Sequence, residues 1–321
     1  MASITTGWRD VISKDVGNAP GILGTKPYPL NVFYVDSVTA NTNASVDGKS
    51  WANAFSTLTY ALTKCTASRG DVIYLSPRHA ETITAAAGVD VNIAGVSIIG
   101  MGNGTNRPTF GIGTATTATF KISAANVYLS NVRMRAVTAQ LLVKMLDVAE
   151  GDFTCEDCWF QGASTSTFLV QNFVHLNTTF DNFVFRRCQF FQGTDPAAAN
   201  AAANTGVFYI VDSENVLLED IEAFGFFETA IVHNKTTKVQ NLWVVRPRWY
   251  VALSDAQPYL LVAAASGGSV DGGIITPAET AVTEATLVGT IGDVFFLFGG
   301  SRFGNDGAAG GQGGIIPATA S

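Results

Sequence analysis

Ala125–Met134 reads ANVYLSNVRM, and the same ten-residue figure returns at Gly151–Phe160 (GDFTCEDCWF), Asp181–Phe190 (DNFVFRRCQF), Glu214–Ala223 (ENVLLEDIEA) and Lys235–Val244 (KTTKVQNLWV). In each copy apolar and other residues alternate on both sides of one turn position. That position reads Asn131, Asp157, Arg187, Asp220 and Asn241, and the apolar residue after it reads Val132, Cys158, Cys188, Ile221 and Leu242. Fainter copies stand at Val96–Met101 and Val270–Ile275. Alternation with period 2 predicts strands with one buried face. The apolar phase slips by one residue at the turn, so the chain bends there while both flanking strands keep their apolar side inward. A one-residue bend needs left-handed or bridge backbone, which Asn, Asp and Gly tolerate best; Arg187 is the exception among the copies. A unit recurring every 20 to 50 residues marks a solenoid or propeller. A propeller would need hairpins with two-residue turns, and a leucine-rich repeat a fixed Leu/Asn consensus; neither pattern is present. Stacked identical bends predict a parallel β-helix with a ladder of turn side chains.

These copies, spanning about Val91 to Pro277, resemble the right-handed, pectate-lyase-like β-helix. Upstream, the run FYVDS…DGKSWANAFSTLTYAL…GDVIYLSPRHAETI (Phe33 to Ile83) is similar to the opening segment of many β-helix proteins: strand, DGxSWxxAF loop, capping helix, G-D-x-I-Y-L strand. Within that broad family it is most similar to bacteriophage virion proteins. The resemblance implies a structural role on a virion, made in the host cytoplasm.

Composition agrees with an all-β solenoid. The chain has 321 residues, 47% hydrophobic and 14% charged, with 32 Gly and 21 Phe for tight turns and stacked rings. Solenoids grow without the usual ceiling on domain size. A net charge of −7 and a pI near 4.9 argue against nucleic acid as partner, which demands a basic face. No transmembrane run or basic-then-apolar leader is read, so neither membrane insertion nor secretion is expected.

The expected organisation is an extended N-terminal arm over 1–32; a first strand, capping helix and first coil over 33–90; the parallel β-helix over 91–277; a C-terminal β segment outside the coil register over 278–303; and a Gly/Ala-rich tail over 304–321. The helix is read over Ser50–Thr66 from the spacing of Trp51, Phe55, Leu58, Leu62 and Cys65, with Ser50 as N-cap. It would plug the end of the solenoid, because an uncovered end exposes both core and strand edge. Thr105–Thr119 and Thr194–Thr205 read as loops extruded from coils.

The search for chemistry yields no catalytic, cofactor-binding or metal residues. Cys155-x-x-Cys158 is the sharpest motif, but the template turns both inward and stacks Cys188 on Cys158, as small core hydrophobes. Four reduced cysteines fit a cytoplasmic assembly site. His79, His175 and His233 have no Asp, Ser or Cys partner in template register. Glu156 and Glu219 share an outward column two coils apart, roughly 10 Å at ~4.8 Å per coil, near the upper limit for an inverting acid/base pair. Arg186 lies between them, and Glu–Arg–Glu reads more simply as a charge-balanced stack. The acidic Ca²⁺ clusters and Lys/Arg bases that the pectate-lyase resemblance would imply have no counterpart on the repeated strands.

The outward face of the second strand is more telling. The template gives one column as Arg133, Trp159, Gln189, Glu222, Trp243 and the next as Arg135, Gln161, Phe191, Phe224, Val245. Large apolar residues on a solvent side mark an interface or ligand groove. Trp159, Phe191, Phe224, Trp243 and Val245 are therefore the candidate subunit-interface residues. A rod with one sticky face closes most simply into a ring; resemblance to viral β-helices implies a homotrimer. Two functions follow: a trimeric protein that decorates or cements a phage capsid, its arm and tail gripping the major capsid protein or other virion proteins, or a tail spike or fibre whose tryptophans bind, and whose carboxylates degrade, host surface polysaccharide.

Overall fold

The computed structural model describes residues 31–38, 41–137, 141–162, 170–177, 181–193, 206–227, 230–233, 239–253, 260–261, 266–277, 288–289, 295–298 and 302–303. They form three parallel sheets wound into one solenoid, a right-handed parallel β-helix. Sheet A has ten strands, sheet B nine and sheet C eight. Each coil supplies one strand to each sheet, as Phe153–Glu156 to A, Trp159–Gln161 to B and Val170–Leu176 to C. Every strand pair is parallel and in register with the coils above and below, for example Phe153 with Phe183 and Trp159 with Gln189.

The inward columns are the alternating apolar residues of the repeat. On sheet A, Leu129, Cys155, Phe185, Leu218 and Val244 stack rung on rung with no exposure. On sheet B the column runs Phe110, Met134, Phe160, Phe190, Ala223, Trp249. Phe160 and Phe190 stack with ring centroids 4.7 Å apart and planes 9° apart. Ala223 stands directly beneath Trp249 in this column, where its small volume makes room for the indole. Burying each such ring contributes about 1.5–3 kcal/mol.

Two left-handed residues, five positions apart, recur on five successive coils of sheet A, from the strand Tyr128–Ser130 to the strand Val239–Val245. Asn126, Asp152 and Asn182 precede their strands, Asn215 and Asn241 hold the same place as the third residue of Ser213–Glu219 and Val239–Val245, and Asn131, Asp157, Arg187, Asp220 and Arg246 follow the strand ends, all with φ between 48° and 67°. The first residues of the pairs form a hydrogen-bonded ladder: Asn182 Nδ2 donates to Asp152 Oδ1 (2.9 Å), Asn215 Nδ2 to Asn182 Oδ1 (3.2 Å) and Asn241 Nδ2 to Asn215 Oδ1 (3.0 Å). This corrects the reading of the fifth copy. Asn241 is the first bend of its pair, and the second is Arg246, so the register there was set five residues early. Residue type does not separate the two bends in this coil, because an Asn holds the first and an arginine the second.

The DGxSWxxAF run builds the N-terminal cover. Gly48 has φ +67°, and a Cβ on it would lie 2.2 Å from the Phe55 ring. The Gly48 carbonyl accepts from Tyr34 N–H (2.8 Å), the Tyr34 carbonyl from Phe55 N–H (2.8 Å), and the Phe55 carbonyl from Asp36 N–H (2.7 Å). The loop thus pairs the free edge of the first sheet A strand, Val32–Val35. The expected helix over Ser50–Thr66 is shorter. Trp51–Asn53 is a 3-10 turn capped by Ser50, and the α-helix is Leu58–Leu62, capped by Thr57. Phe55 stays extended to bridge Val35, which interrupts the helix. Leu58, Ala61 and Leu62 enter the core, whereas Trp51 stands outside against Tyr34. Glu81 accepts from Leu58 N–H and from His79 Nε2, whose Nδ1 accepts from Ser37 N–H (3.0 Å). His79 is therefore a buried clasp between helix, first strand and first coil.

Two further expectations change. Thr109–Ile112, read as loop, is a sheet B strand with Phe110 and Ile112 buried. Phe295–Phe298, read as outside the coil register, pairs with Gly268–Asp271 on sheet A; Val288–Gly289 and Arg302–Phe303 likewise extend sheets C and B. Sheet pairing counts only register, so coils persist where the template had lost its pattern. Of the arm expected over 1–32, residues 1–30 lie outside the described residues and Val32 already belongs to the first strand; the loop over 194–205 and the tail over 304–321 also lie outside them.

Candidate functional site

The structure splits the expected apolar stripe between two faces. On sheet B the outward columns are Arg133, Trp159, Gln189, Glu222, Arg248 and Arg135, Gln161, Phe191, Phe224, Tyr250. Trp243 and Val245 do not belong to them. They lie on sheet A, opposite Leu217 and Glu219, a consequence of the five-residue register error. Tyr250 takes the place assigned to Val245. Phe191, Phe224 and Tyr250 therefore make an unbroken row on three successive rungs, 41%, 38% and 50% exposed. Trp159 is half-buried, because the Arg107 guanidinium covers its ring at 4.2 Å.

At the corner between sheets A and B, Glu156 and Glu219 do share a column with Arg186 between them. Arg186 bonds both, at 3.4 Å to Glu156 and 2.7 Å to Glu219. The bend column alongside alternates Asp157, Arg187, Asp220, Arg246. Arg187 reaches back to Asp157 (2.8 Å) and Glu156 (3.1 Å), and Arg246 to Asp220 (2.8 Å) and Glu219 (2.7 Å). Tyr128 O–H donates to Glu156 (3.1 Å), and its phenol is pushed up to about 12, first by burial. Burial opposes the Glu219 charge, but bonds from Arg246 and Arg186 outweigh it and hold the carboxyl below its ordinary range. A general acid needs the opposite shift. Each carboxylate of the ladder is bonded to an arginine.

Cys155, Cys158 and Cys188 are fully buried. Cys188 Sγ lies 3.9 Å from Cys155 Sγ, a diagonal contact across the corner that adds to the expected stacking on Cys158. Burial pushes the Cys155 and Cys188 thiols well up, which favours the protonated, inert form.

The arrangement the template missed is on sheet C. Its outward column runs Asp90, Lys121, Asp147, His175, Tyr209, His233. Lys144 Nζ bonds Asp147 Oδ2 (2.6 Å), and His175 Nδ1 lies 3.2 Å from Asp147 Oδ1. A carboxylate only accepts, so Nδ1 is the donor, and in the neutral ring Nε2 holds the lone pair. Burial opposes the Asp147 charge, but the bonds from His175 and Lys144 outweigh it and lower its pKa. The His175 ring stacks on Tyr209 at 5.0 Å and 17°, and Tyr209 meets His233 at 4.7 Å. His233 Nε2 bonds Asn172 Oδ1 (2.7 Å) across an intervening rung. Gly206 occupies that rung; a Cβ there would lie 2.8 Å from the His233 ring. The expectation that no histidine has an acidic partner is thereby corrected. Sheet C lies beyond the ten-residue template, so its column could not be aligned; the pairs join residues tens of positions apart. Among the described residues no group of three or more His, Cys, Asp or Glu is arranged to hold a metal ion.

The sequence matches no protein-family model and no curated protein. Among solved structures the chain is similar to the crystal structure of pectate lyase Pel9A, with a TM-score of 0.50 over 86% of this chain and 78% of that one, at 11% identity. It is also similar to a rhamnogalacturonan lyase (TM-score 0.45, 13% identity, 77% and 68% covered) and to ORF18 of Geobacillus virus E2 (TM-score 0.28, 11% identity, 76% and 56% covered). At such identity the likeness to the pectate lyase carries the fold alone: the class is the pectate-lyase-like, right-handed parallel β-helix.

Proposed function

We propose that the chain is a structural virion protein, a β-helix that self-associates, as a homotrimer, through the C-terminal half of sheet B. The observation that carries this reading is the row Phe191, Phe224, Tyr250. Three exposed rings on adjacent rungs of a rigid face are costly in water and typical of interface cores. The resemblance of the DGxSWxxAF opening to phage virion proteins supports the setting, with the arm and tail as contacts to the major capsid protein or its neighbours. Light scattering on the purified protein tests self-association. Phe224→Asp should shift a trimer to monomer with the far-UV spectrum unchanged; a wild-type monomer would refute the contact. Copy number in purified particles, by mass spectrometry, tests the setting: hundreds favour a capsid protein, a few trimers a tail protein, and absence ends the virion reading.

The sheet C column favours a second reading, a tail spike that binds or degrades host surface polysaccharide. His175, oriented by Asp147 with Nε2 free of any described partner, has the form of a general base. Polysaccharide cleavage lost in His175→Ala and Asp147→Asn, at unchanged melting temperature, would support it. Cleavage by neither wild type nor variants across a glycan panel would dismiss the enzymatic form.

A further inference from the structure

Four arginines at the A/B corner and on sheet B end on carboxylates: Arg186, Arg187, Arg246 and Arg248. Among the described residues three nearby do not. Arg133 and Arg135 point outward from the sheet B strand Arg133–Ala136, and Arg107 precedes the strand Thr109–Ile112 one rung above. Arg133 Nε donates to the neutral Gln161 Oε1 (2.6 Å). The Arg107 guanidinium lies over Trp159, the register partner of Arg133, and its Nε and Nη1 are buried with no acceptor among the described residues. Asp157, whose charge acts on Arg107, is bonded to Arg187 through both oxygens (2.8 and 3.2 Å). Arg78, whose side chain donates to Asn106 Oδ1 (3.2 Å), stands a further rung up, its N–H on the Asn106 carbonyl.

Desolvating guanidinium groups without a counter-charge is unfavourable. Burial lowers the Arg107 pKa, and burial together with Arg135 lowers that of Arg133. A protein of net charge −7 that bonds its other corner arginines to carboxylates and, among the described residues, leaves this group with only the charge of Asp157 nearby has a place for an anion. Guanidinium forks match oxyanions bidentately. Three cations are balanced better by a dianion than by one carboxylate. The patch is too small, and the body too acidic, for a nucleic-acid backbone, which needs an extended basic face.

We propose that Arg107, Arg133 and Arg135, beside Trp159, form an oxyanion site that takes a tetrahedral dianion, a phosphate or sulfate group. The group is either the free anion or an ester on a larger ligand. Arg135 continues the column of Phe191, Phe224 and Tyr250, with Gln161 between Arg135 and Phe191; the site rests on the arginines and not on whether that row joins subunits.

The test is titration of the full-length protein, in Tris chloride, with inorganic phosphate, sulfate, a sugar 6-phosphate and galacturonate, followed by calorimetry. Saturable binding of phosphate and sulfate is expected, weakened by salt and weakened about tenfold or more, at least 1.4 kcal/mol, in the double variant Arg133→Gln/Arg135→Gln. Light scattering and melting temperature should not change in that variant. Tighter binding of the sugar phosphate than of phosphate assigns the ester as the source, and the reverse assigns the free anion. Galacturonate binding as tightly as phosphate, binding unaffected by the double variant, or no saturable binding would each overturn the proposal.

Discussion

Arg187 sits at a left-handed bend (φ 50°) and clasps Asp157, the equivalent bend residue of the preceding coil, through Nε (2.8 Å) and Nη2 (3.2 Å). A non-glycine residue in that conformation costs roughly 1–2 kcal/mol, and the bidentate pair offsets part of it. Replacing Arg187 with Ala removes the pair and keeps the strain; Gly removes both. Urea unfolding should therefore rank wild type above Arg187→Gly, and Arg187→Gly above Arg187→Ala, with the alanine variant down by about 1–2 kcal/mol. Equal stability of all three would show that the clasp contributes nothing.

Three carboxylates are held below their ordinary range: Glu219 and Asp147 by bonds that outweigh burial, and Asp220 first by its bond from Arg246. A lowered folded-state pKa means stability that is present above the unfolded value, near 4, and lost as pH falls through the folded one. The protein should hold a plateau in stability near neutrality, then lose it below about pH 5. Glu219→Gln/Asp220→Asn should be less stable at pH 7 and show a flatter acid slope. Chemical unfolding at a series of pH values reads this directly; an unchanged slope would remove the ladder from the acid response.

Gly48 is the hinge of the N-terminal cover. With φ +67° and the Phe55 ring 2.2 Å from any added Cβ, Gly48→Ala must displace the loop that pairs the first strand. A loss of about 1–3 kcal/mol is expected, with hydrogen exchange rising first at Val32–Val35. A variant as protected there as wild type would mean the edge is covered by other means.

In the column of sheet B, Ala223 is small because Trp249 lies over it. Ala223→Leu overpacks that rung and should cost about 1–3 kcal/mol. Phe190→Ala removes a ring that stacks on Phe160 and meets Phe173 and Phe208, and should cost about 3–5 kcal/mol. Thermal melts by circular dichroism distinguish both from surface changes, which stay within about 0.5 kcal/mol.

The sequence by itself determined the parallel β-helix, most of its inward columns and the place of its N-terminal cover. Alternation and bend chemistry are local, so ten residues suffice to reveal them, and repetition averages out exceptions such as Arg187. It determined the outward neighbours on sheet B as far as Glu222 and Phe224, and not beyond. Outward neighbours depend on how residues about 26 to 33 positions apart come into register, and one ambiguous bend, Asn241 against Arg246, moved Trp243 and Val245 to the wrong face and hid Tyr250. The clasp of Asp157 by Arg187, the Asp147–His175 pair and the arginines around Trp159 were decided by the tertiary structure alone. Charges and rings on an outer face interact across coils, through distances that no spacing along the chain encodes.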